Sequence, residues 1–378
     1  MKRLSASIRA FASRFGVSGA VLLLVVVAAV VAVVVLRPFD PVRAEVVQEG
    51  LEHPWDIAFV PDGRMLVTER AGRVLVFDSP GPDAELLHTA VVPDVRAELE
   101  SGLMGIAVDG ANVFVCASRD PGGDGGEPWR VEVLHSTLTP EGALTPFEAI
   151  PIGEAVGGPR HQGCAVEVGG GYLWVTMGDA NLPAGENRAQ DPDSLNGKVL
   201  RLELDGSVPE DNPFGSPVYS LGHRNPQGIA VRSDGLVLAV EHGTDENDEI
   251  NVIVAGANYG YPCYTGAGDP GPIPDGCGTP SEYSASTWTS LIPTLATSGA
   301  TFLVGRGWAD WEGMLIVSTL KEEDLRLFRV THNGTTVDLD ILLDRRFGRL
   351  RAAVIGPDGA LYISTANGPG DRIIRVWR

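Results

Sequence analysis

One short pattern recurs six times along this chain: a β-rich run, a tight turn closed by glycine, and a second β-rich run. The copies read WDIAFV-PDG-RMLVTER, GLMGIAV-DGA-NVFVCAS, CAVEV-GGG-YLWVTMGD, QGIAV-RSDG-LVLAVEHG, GATFLV-GRGWADWEG-MLIVSTLK and RAAVIG-PDG-ALYISTANG. Their turn glycines, Gly63, Gly110, Gly171, Gly235, Gly313 and Gly359, lie 46 to 78 residues apart. Spacing that uneven argues against a solenoid, whose repeats are shorter and more uniform. It suits blades with long connecting loops. The runs are Val, Ile, Leu, Phe and Tyr with small neighbours, as in strands buried between stacked sheets. The expected fold is therefore all-β, a six-bladed β-propeller over residues 45–378, with a parallel β-helix or a pair of sandwiches as the alternatives. The opening AEVVQEG is expected to complete the last blade beside the closing DRIIRVW.

The first 44 residues read differently. Residues 17–36 (VSGAVLLLVVVAAVVAVVVL) are 20 positions without a charge, after a basic stretch at 1–16. That is the length of a membrane-spanning helix. The expectation is a membrane anchor with a cytoplasmic basic end and a linker at 37–44. A cleaved signal peptide, cut at Val42-Arg43-Ala44, is the alternative. Either places the folded part outside the cytoplasm. Residues 45–378 carry a formal charge of −25 against +5 for the first 44, which disfavours nucleic acid as a partner. The Gly/Pro-rich loop between Cys263 and Cys277 suits a disulfide, whereas Cys116 and Cys164 fit either a bond or two buried thiols.

In a propeller all innermost strands run the same way, so the residues leading into each hairpin and those leaving it gather at one mouth. The leading residues are Glu100, Arg160-His161-Gln162, His223-Arg224-Asn225-Pro226-Gln227, Thr294 with Ser298, and Arg349 with Arg351. The exits are Glu69-Arg70, Asp120, Asp179, Glu241-His242-Gly243-Thr244, Lys321 and Asn367. Arg224, Lys321, Arg349 and Arg351 beside His161 make a cationic mouth on an acidic domain, which attracts a polyanionic ligand. Glu241, the peptide carbonyls near it and Glu249 are oxygen donors suited to a hard cation.

The segments GLEHPWDIAFVPDGRMLVTERAGRV, SGLMGIAV, HQGCAVEV, GKVLRLELDGSVPEDNPF, VYSLGHRNPQGIAV, EHGTDENDEINVI with GANYGYP, and GRLRAAVIGPDGALYIST resemble the PQQ-dependent aldose sugar dehydrogenases, the glucose/sorbosone dehydrogenase-like family. GHRNPQG followed by EHG and DEIN is the most specific part. The resemblance implies oxidation of an aldose at its anomeric carbon to a lactone, with pyrroloquinoline quinone (PQQ) and calcium as cofactors. It implies His161 as a base titrating near neutrality, Asp179 as the carboxylate that orients it, and Arg224 as the cation beside the quinone oxygen. It further implies Glu100, Asn225, Thr294, Lys321, Arg349 and Arg351 as cofactor contacts. Gly243 and Thr244 match carbonyl ligands of the cofactor's calcium, and Glu249 and Tyr259 a second calcium site. With no haem or flavin motif in the chain, electrons are expected to leave to an external acceptor, a cytochrome or a membrane quinone.

The chain departs from the family's pattern at Thr244 for Pro, Ile292 for an aromatic, Arg160 for a carboxylate and Glu100 for Gln. Two rival functions fit a propeller. A calcium-dependent lactonase would need several Asp, Asn or Glu side chains on one central metal, where this mouth offers cations. A non-catalytic extracytoplasmic binding module has no use for a base beside a polyanion pocket.

Overall fold

The computed structural model describes residues 41–122, 129–183, 185–265, 277–305 and 307–378. The expected basic end and apolar segment, and the linker as far as residue 40, lie outside these. Among the described residues no helix is long and apolar enough to cross a membrane.

The six repeats become the two innermost strands of six antiparallel sheets. Blade 1 runs outward through Pro54–Phe59, Met65–Glu69, Arg73–Phe77 and Leu86–Val91. Blade 2 begins with Leu103–Asp109, Asn112–Arg119 and Arg130–Thr137. Blade 3 is Gly163–Gly169, Tyr172–Met177, Lys198–Glu203 and Val218–Leu221. Blade 4 is Pro226–Val231, Val237–Glu241, Glu249–Val252 and Trp288–Thr289. Blade 5 is Thr297–Phe302, Leu315–Thr319, Leu325–Val330 and Thr336–Leu342. Blade 6 is Leu350–Ile355, Leu361–Thr365 and Pro369–Trp377, finished on its outer edge by the N-terminal strand Arg43–Glu52.

That last pairing, from Arg43 opposite Trp377 to Glu52 opposite Pro369, closes the ring by joining the two ends of the domain. The strand starts two residues before the expected boundary. Val42 is already buried, in the cluster that holds Trp308, Trp311 and Leu361. Arg43 and Ala44, expected in the linker, belong to this strand instead, because they have partners in Trp377 and Val376.

The core is divided rather than central. Each apolar cluster fills the seam between two neighbouring blades, as with Met104, Phe114 and Val133 of blade 2 against Val166, Leu173 and Val175 of blade 3. At roughly 1.5–3 kcal/mol for each large apolar side chain buried, every seam contributes to closing the ring.

Near the mouth each inner strand carries a bulge against its partner, and the first bulged residues are Trp55, Met104, Cys164, Gln227, Ser298 and Arg351. A bulge turns a side chain away from the ladder's alternation, which here redirects the residues lining the channel. Glycine follows at Gly105, Gly228 and Gly299 because the inner strands meet backbone to backbone there. An added Cβ would collide with the carbonyls of Cys164, Ser298 and Arg351 respectively. Cys263 and Cys277 are bonded as expected. Cys116 and Cys164 are bonded too, which removes the free-thiol alternative, since the fold lays the two strands side by side across a seam.

Candidate active site

Blade 3 supplies both members of a histidine–carboxylate pair, His161 just before its inner strand and Asp179 just after the next. The His161 Nδ1 donates to Asp179 Oδ1 at 2.8 Å. Asp179 also accepts the Asn181 N–H and the Asn187 side-chain amide, both at 2.9 Å. A buried carboxylate with those donors leaves Nδ1 as the protonated nitrogen and Nε2 as the one able to accept a proton. The backbone stitches the pair to its neighbour, with Asp179 N–H donating to the Arg224 carbonyl at 2.8 Å.

Glu100 lies beneath His161. Its Oε2 accepts the His161 N–H at 3.2 Å and the Asn225 amide at 3.5 Å, while Oε1 faces Arg160 at 3.4 Å. Asn225 uses its oxygen to accept the Gly163 N–H at 3.1 Å. Three leading segments predicted to converge, those of blades 2, 3 and 4, are thus tied by direct hydrogen bonds. The Arg160–Glu100 contact shows where the departures at these two positions lead: they pair with each other.

Arg224 is held from behind. Its N–H donates to Glu241 Oε2 at 2.8 Å, and its Nη1 donates to the carbonyls of His242 at 3.2 Å and Gly243 at 2.6 Å. Its Nε is buried without a partner. Thr294 and Lys321 contact each other, Nζ to Oγ1 at 2.9 Å, and both Lys321 and Arg349 are exposed. Arg351 sits lower than expected, on the channel wall rather than the rim. Its guanidinium lies 3.6 Å over the Trp55 ring and donates to Gln227 at 3.1 Å. Burial, and then the neighbouring Arg349, push it down to about 9, with Glu100 opposing. An orphaned donor on Arg224 and crowded, partly desolvated cations fit a ligand with several carboxylates.

Gly243, Thr244, Glu249 and Tyr259 line one cavity with Arg224 and Glu241. Their availability differs. The Gly243 carbonyl is engaged by Arg224, and an added Cβ at Gly243 would collide with the Glu246 carbonyl, so glycine is required for this turn. Tyr259 is occupied structurally: its hydroxyl donates to the Val252 carbonyl and its ring stacks on His223 at 4.7 Å. Glu249 accepts from Asn251 at 3.0 Å, and burial together with Glu241 and Asp248 pushes it up to about 8. Glu241 is not free for a cation as the sequence suggested. Its oxygens accept His223 Nδ1 at 2.9 Å, Asn251 at 2.7 Å and the Arg224 N–H. Burial would raise this carboxyl, but His223 and those donors outweigh it and hold it below its usual value. Among the described residues no three His, Cys, Asp or Glu side chains gather as metal ligands, so a cation here would depend chiefly on carbonyl oxygens.

Sequence reasoning did not single out Asp248 or Tyr261, and named Gln227 only as a leading residue of blade 4. Asp248, buried, accepts the N–H groups of Gly243 at 2.9 Å and of Leu295 and Ala296 at 2.6 Å each, joining the loop of Gly243 to the loop of Thr294. Tyr261 lines the cavity with Arg224. Its phenol is pushed up to about 12 by burial and by the Asp179 carboxylate, against the pull of Arg224. Gln227 carries Arg351. All three stand in segments that carry the resemblance, Asp248 in EHGTDENDEINVI, Tyr261 in GANYGYP and Gln227 in VYSLGHRNPQGIAV, but nothing in those segments shows which neighbours their side chains meet. Below the mouth, the channel-facing Asp56 and Glu167 are pushed up to about 7 and about 8, mainly by burial, with Asp56 adding to the effect on Glu167.

The family model described as Glucose / Sorbosone dehydrogenase matches residues 51–375. The aldose sugar dehydrogenase YliI of Escherichia coli is 34% identical over 351 residues, covering 87% of this chain and 91% of that one. The quinoprotein glucose dehydrogenase B of Acinetobacter calcoaceticus is 30% identical over 317 residues, covering 73% and 63%. Among solved structures, the PQQ-bound aldose sugar dehydrogenase of Streptomyces coelicolor aligns with a TM-score of 0.73 at 25% identity, over 90% of this chain and 99% of that one. With the match running through all six blades, this chain belongs to the glucose/sorbosone dehydrogenase family and is a PQQ-dependent sugar dehydrogenase, an oxidoreductase.

Proposed function

We propose that the protein oxidises an aldose at its anomeric carbon to the lactone, with calcium beside the PQQ, and hands the electrons to an external acceptor, a cytochrome or a membrane quinone. The observation that carries this reading is the buried Asp179–His161 pair at 2.8 Å, with the Arg224 backbone bonded to Asp179 beside it. His161 Nε2 takes the proton of the anomeric hydroxyl, and Asp179 stabilises the imidazolium that results. PQQ, when bound, supplies the two-electron acceptor for the hydrogen leaving carbon, and calcium a Lewis acid beside it. Lys321, Thr294, Arg349, Arg351 and Asn225 would hold the cofactor's carboxylates, and the carbonyls of Gly243 and Thr244 the cation. Arg224 would stabilise negative charge as it develops, a task suited to a guanidinium whose backbone is already fixed by Glu241. Two disulfides agree with work outside the cytoplasm.

The test is to purify apo-protein, add PQQ and calcium, and follow sugar-dependent reduction of a dye. Turnover is expected only with both present. Retained turnover in His161→Ala would remove His161 as the base.

A further inference from the structure

Blade 3 differs from the other five at a residue close to the base. The equivalent bulge residues are Trp55, Met104, Cys164, Gln227, Ser298 and Arg351, and of these only Cys164 has positive φ, +69°. Gly163 has φ +63° and His161 +57°. Left-handed backbone is disfavoured for any residue with a Cβ and persists where the surroundings over-determine it. Here every residue of the turn has its own restraint. The His161 N–H is on Glu100 and its carbonyl on Ala180 N–H at 3.0 Å; the Gln162 carbonyl accepts Gly178 N–H at 2.9 Å; the Gly163 N–H is on Asn225. Cys164 is bonded to Cys116, in the second strand of blade 2, and both cysteines are fully buried.

General stabilisation does not explain the position of that bond. The seam between blades 2 and 3 has an apolar cluster as extensive as any other. Among the described residues no other pair of blades is covalently joined. The bond falls on the bulge residue with the anomalous backbone, three positions from the imidazole.

We propose that the Cys116–Cys164 disulfide is a positioning element of the active site, fixing the left-handed turn through Cys164 and so holding the His161 imidazole on Asp179. The proposal rests on His161 being the base. A base displaced by about 1 Å loses alignment with the hydroxyl it must deprotonate, a change that acts on kcat before it acts on binding.

The experiment compares wild type with the Cys116→Ala/Cys164→Ala pair. In the PQQ- and calcium-loaded enzyme, kcat is expected to fall at least about tenfold, with KM and PQQ affinity within about twofold. In apo-protein, the downfield proton resonance of His161 Nδ1–H, assigned by its loss in His161→Ala, is expected to broaden as the hydrogen bond to Asp179 loosens. A folded double variant with unchanged kcat and an unchanged resonance overturns the proposal and leaves the bond a stabiliser of the seam. Should the alanine pair fail to fold, Cys116→Val with Cys164→Ala refills the buried volume and is read the same way. A wild-type enzyme that oxidises no sugar would overturn the functional reading instead, and the resonance would still decide whether the bond holds the imidazole.

Discussion

Replacing Asp179 by Asn separates orientation from charge in the proton-accepting pair. The carboxylate accepts three donors: His161 Nδ1 at 2.8 Å, Asn181 N–H at 2.9 Å and the Asn187 amide at 2.9 Å. An amide in its place has one oxygen and one NH2 group. If the oxygen stays on His161 and Asn181, the new NH2 faces the NH2 of Asn187. Asn187 cannot turn over without cost, because its own oxygen accepts the Ala189 N–H at 3.0 Å. That arrangement leaves a buried donor unpaired, worth about 1–3 kcal/mol of stability. If instead the NH2 faces His161, Nδ1 must become the acceptor, the ring proton moves to Nε2, and the base is lost. Either way the imidazolium loses its counter-charge, so Asp179→Asn is expected to lower kcat by roughly 10²–10⁴, equivalent to about 3–5 kcal/mol of barrier. PQQ affinity, read by fluorescence titration, should stay within about twofold, because Arg224, Lys321 and Arg349 keep their partners. Steady-state dye reduction at saturating PQQ measures the effect. A kcat within about threefold of wild type would refute the role given to Asp179.

Three further outcomes follow from individual contacts. Asp56 and Glu167 have folded pKa values of about 7 and about 8, above their ordinary values, so the folded state holds protons that the unfolded state has released. Their contribution to stability should therefore be largest near pH 4 and fall as pH rises toward 8, by at most ~1.4 kcal/mol per unit per group. Glu167→Gln should flatten that slope in thermal melts, and an unchanged slope would exclude Glu167 as its source. Glu100→Gln removes a negative charge that acts on Arg351; PQQ should bind about fivefold tighter, an effect of about 1 kcal/mol at these separations, and weaker binding would count against the carboxylate's repulsion. Lys198, fully buried, donates to the carbonyls of Arg188, Ala189 and Asn196 at 2.9, 3.0 and 2.6 Å. Lys198→Met should cost at least about 3 kcal/mol in chemical denaturation, since three acceptors lose their donor at once.

The parts of the site that were legible share one property: they sit at the ends of recurring strands. His161, Asp179, Arg224 and Asn225 flank runs whose composition already marks them as strands, so ring closure alone brings them together. Asp248 and Tyr261 escaped because they lie in irregular connections between the strands of blade 4, ahead of Glu249–Val252 and ahead of Trp288–Thr289, where no period indicates which face a side chain takes. Glu241 illustrates the opposite failure. Its position at a strand end predicted an available oxygen donor, but His223, Asn251 and the Arg224 N–H already occupy both its oxygens. Local pattern reports where a residue stands along the chain, whereas the number of donors reaching it depends on three strands meeting.

Hydrophobic periodicity and turn glycines were enough to establish the blades, their number and the shared mouth, because each blade's inner hairpin is a local structure encoded by adjacent residues. Long-range geometry decided the rest. The bond between Cys116 and Cys164, the descent of Arg351 onto Trp55 and the start of the outer strand at Arg43 all join segments distant in sequence. Such contacts exist only once the ring has closed, since it is closure that places one blade's bulge residues against the next blade's backbone.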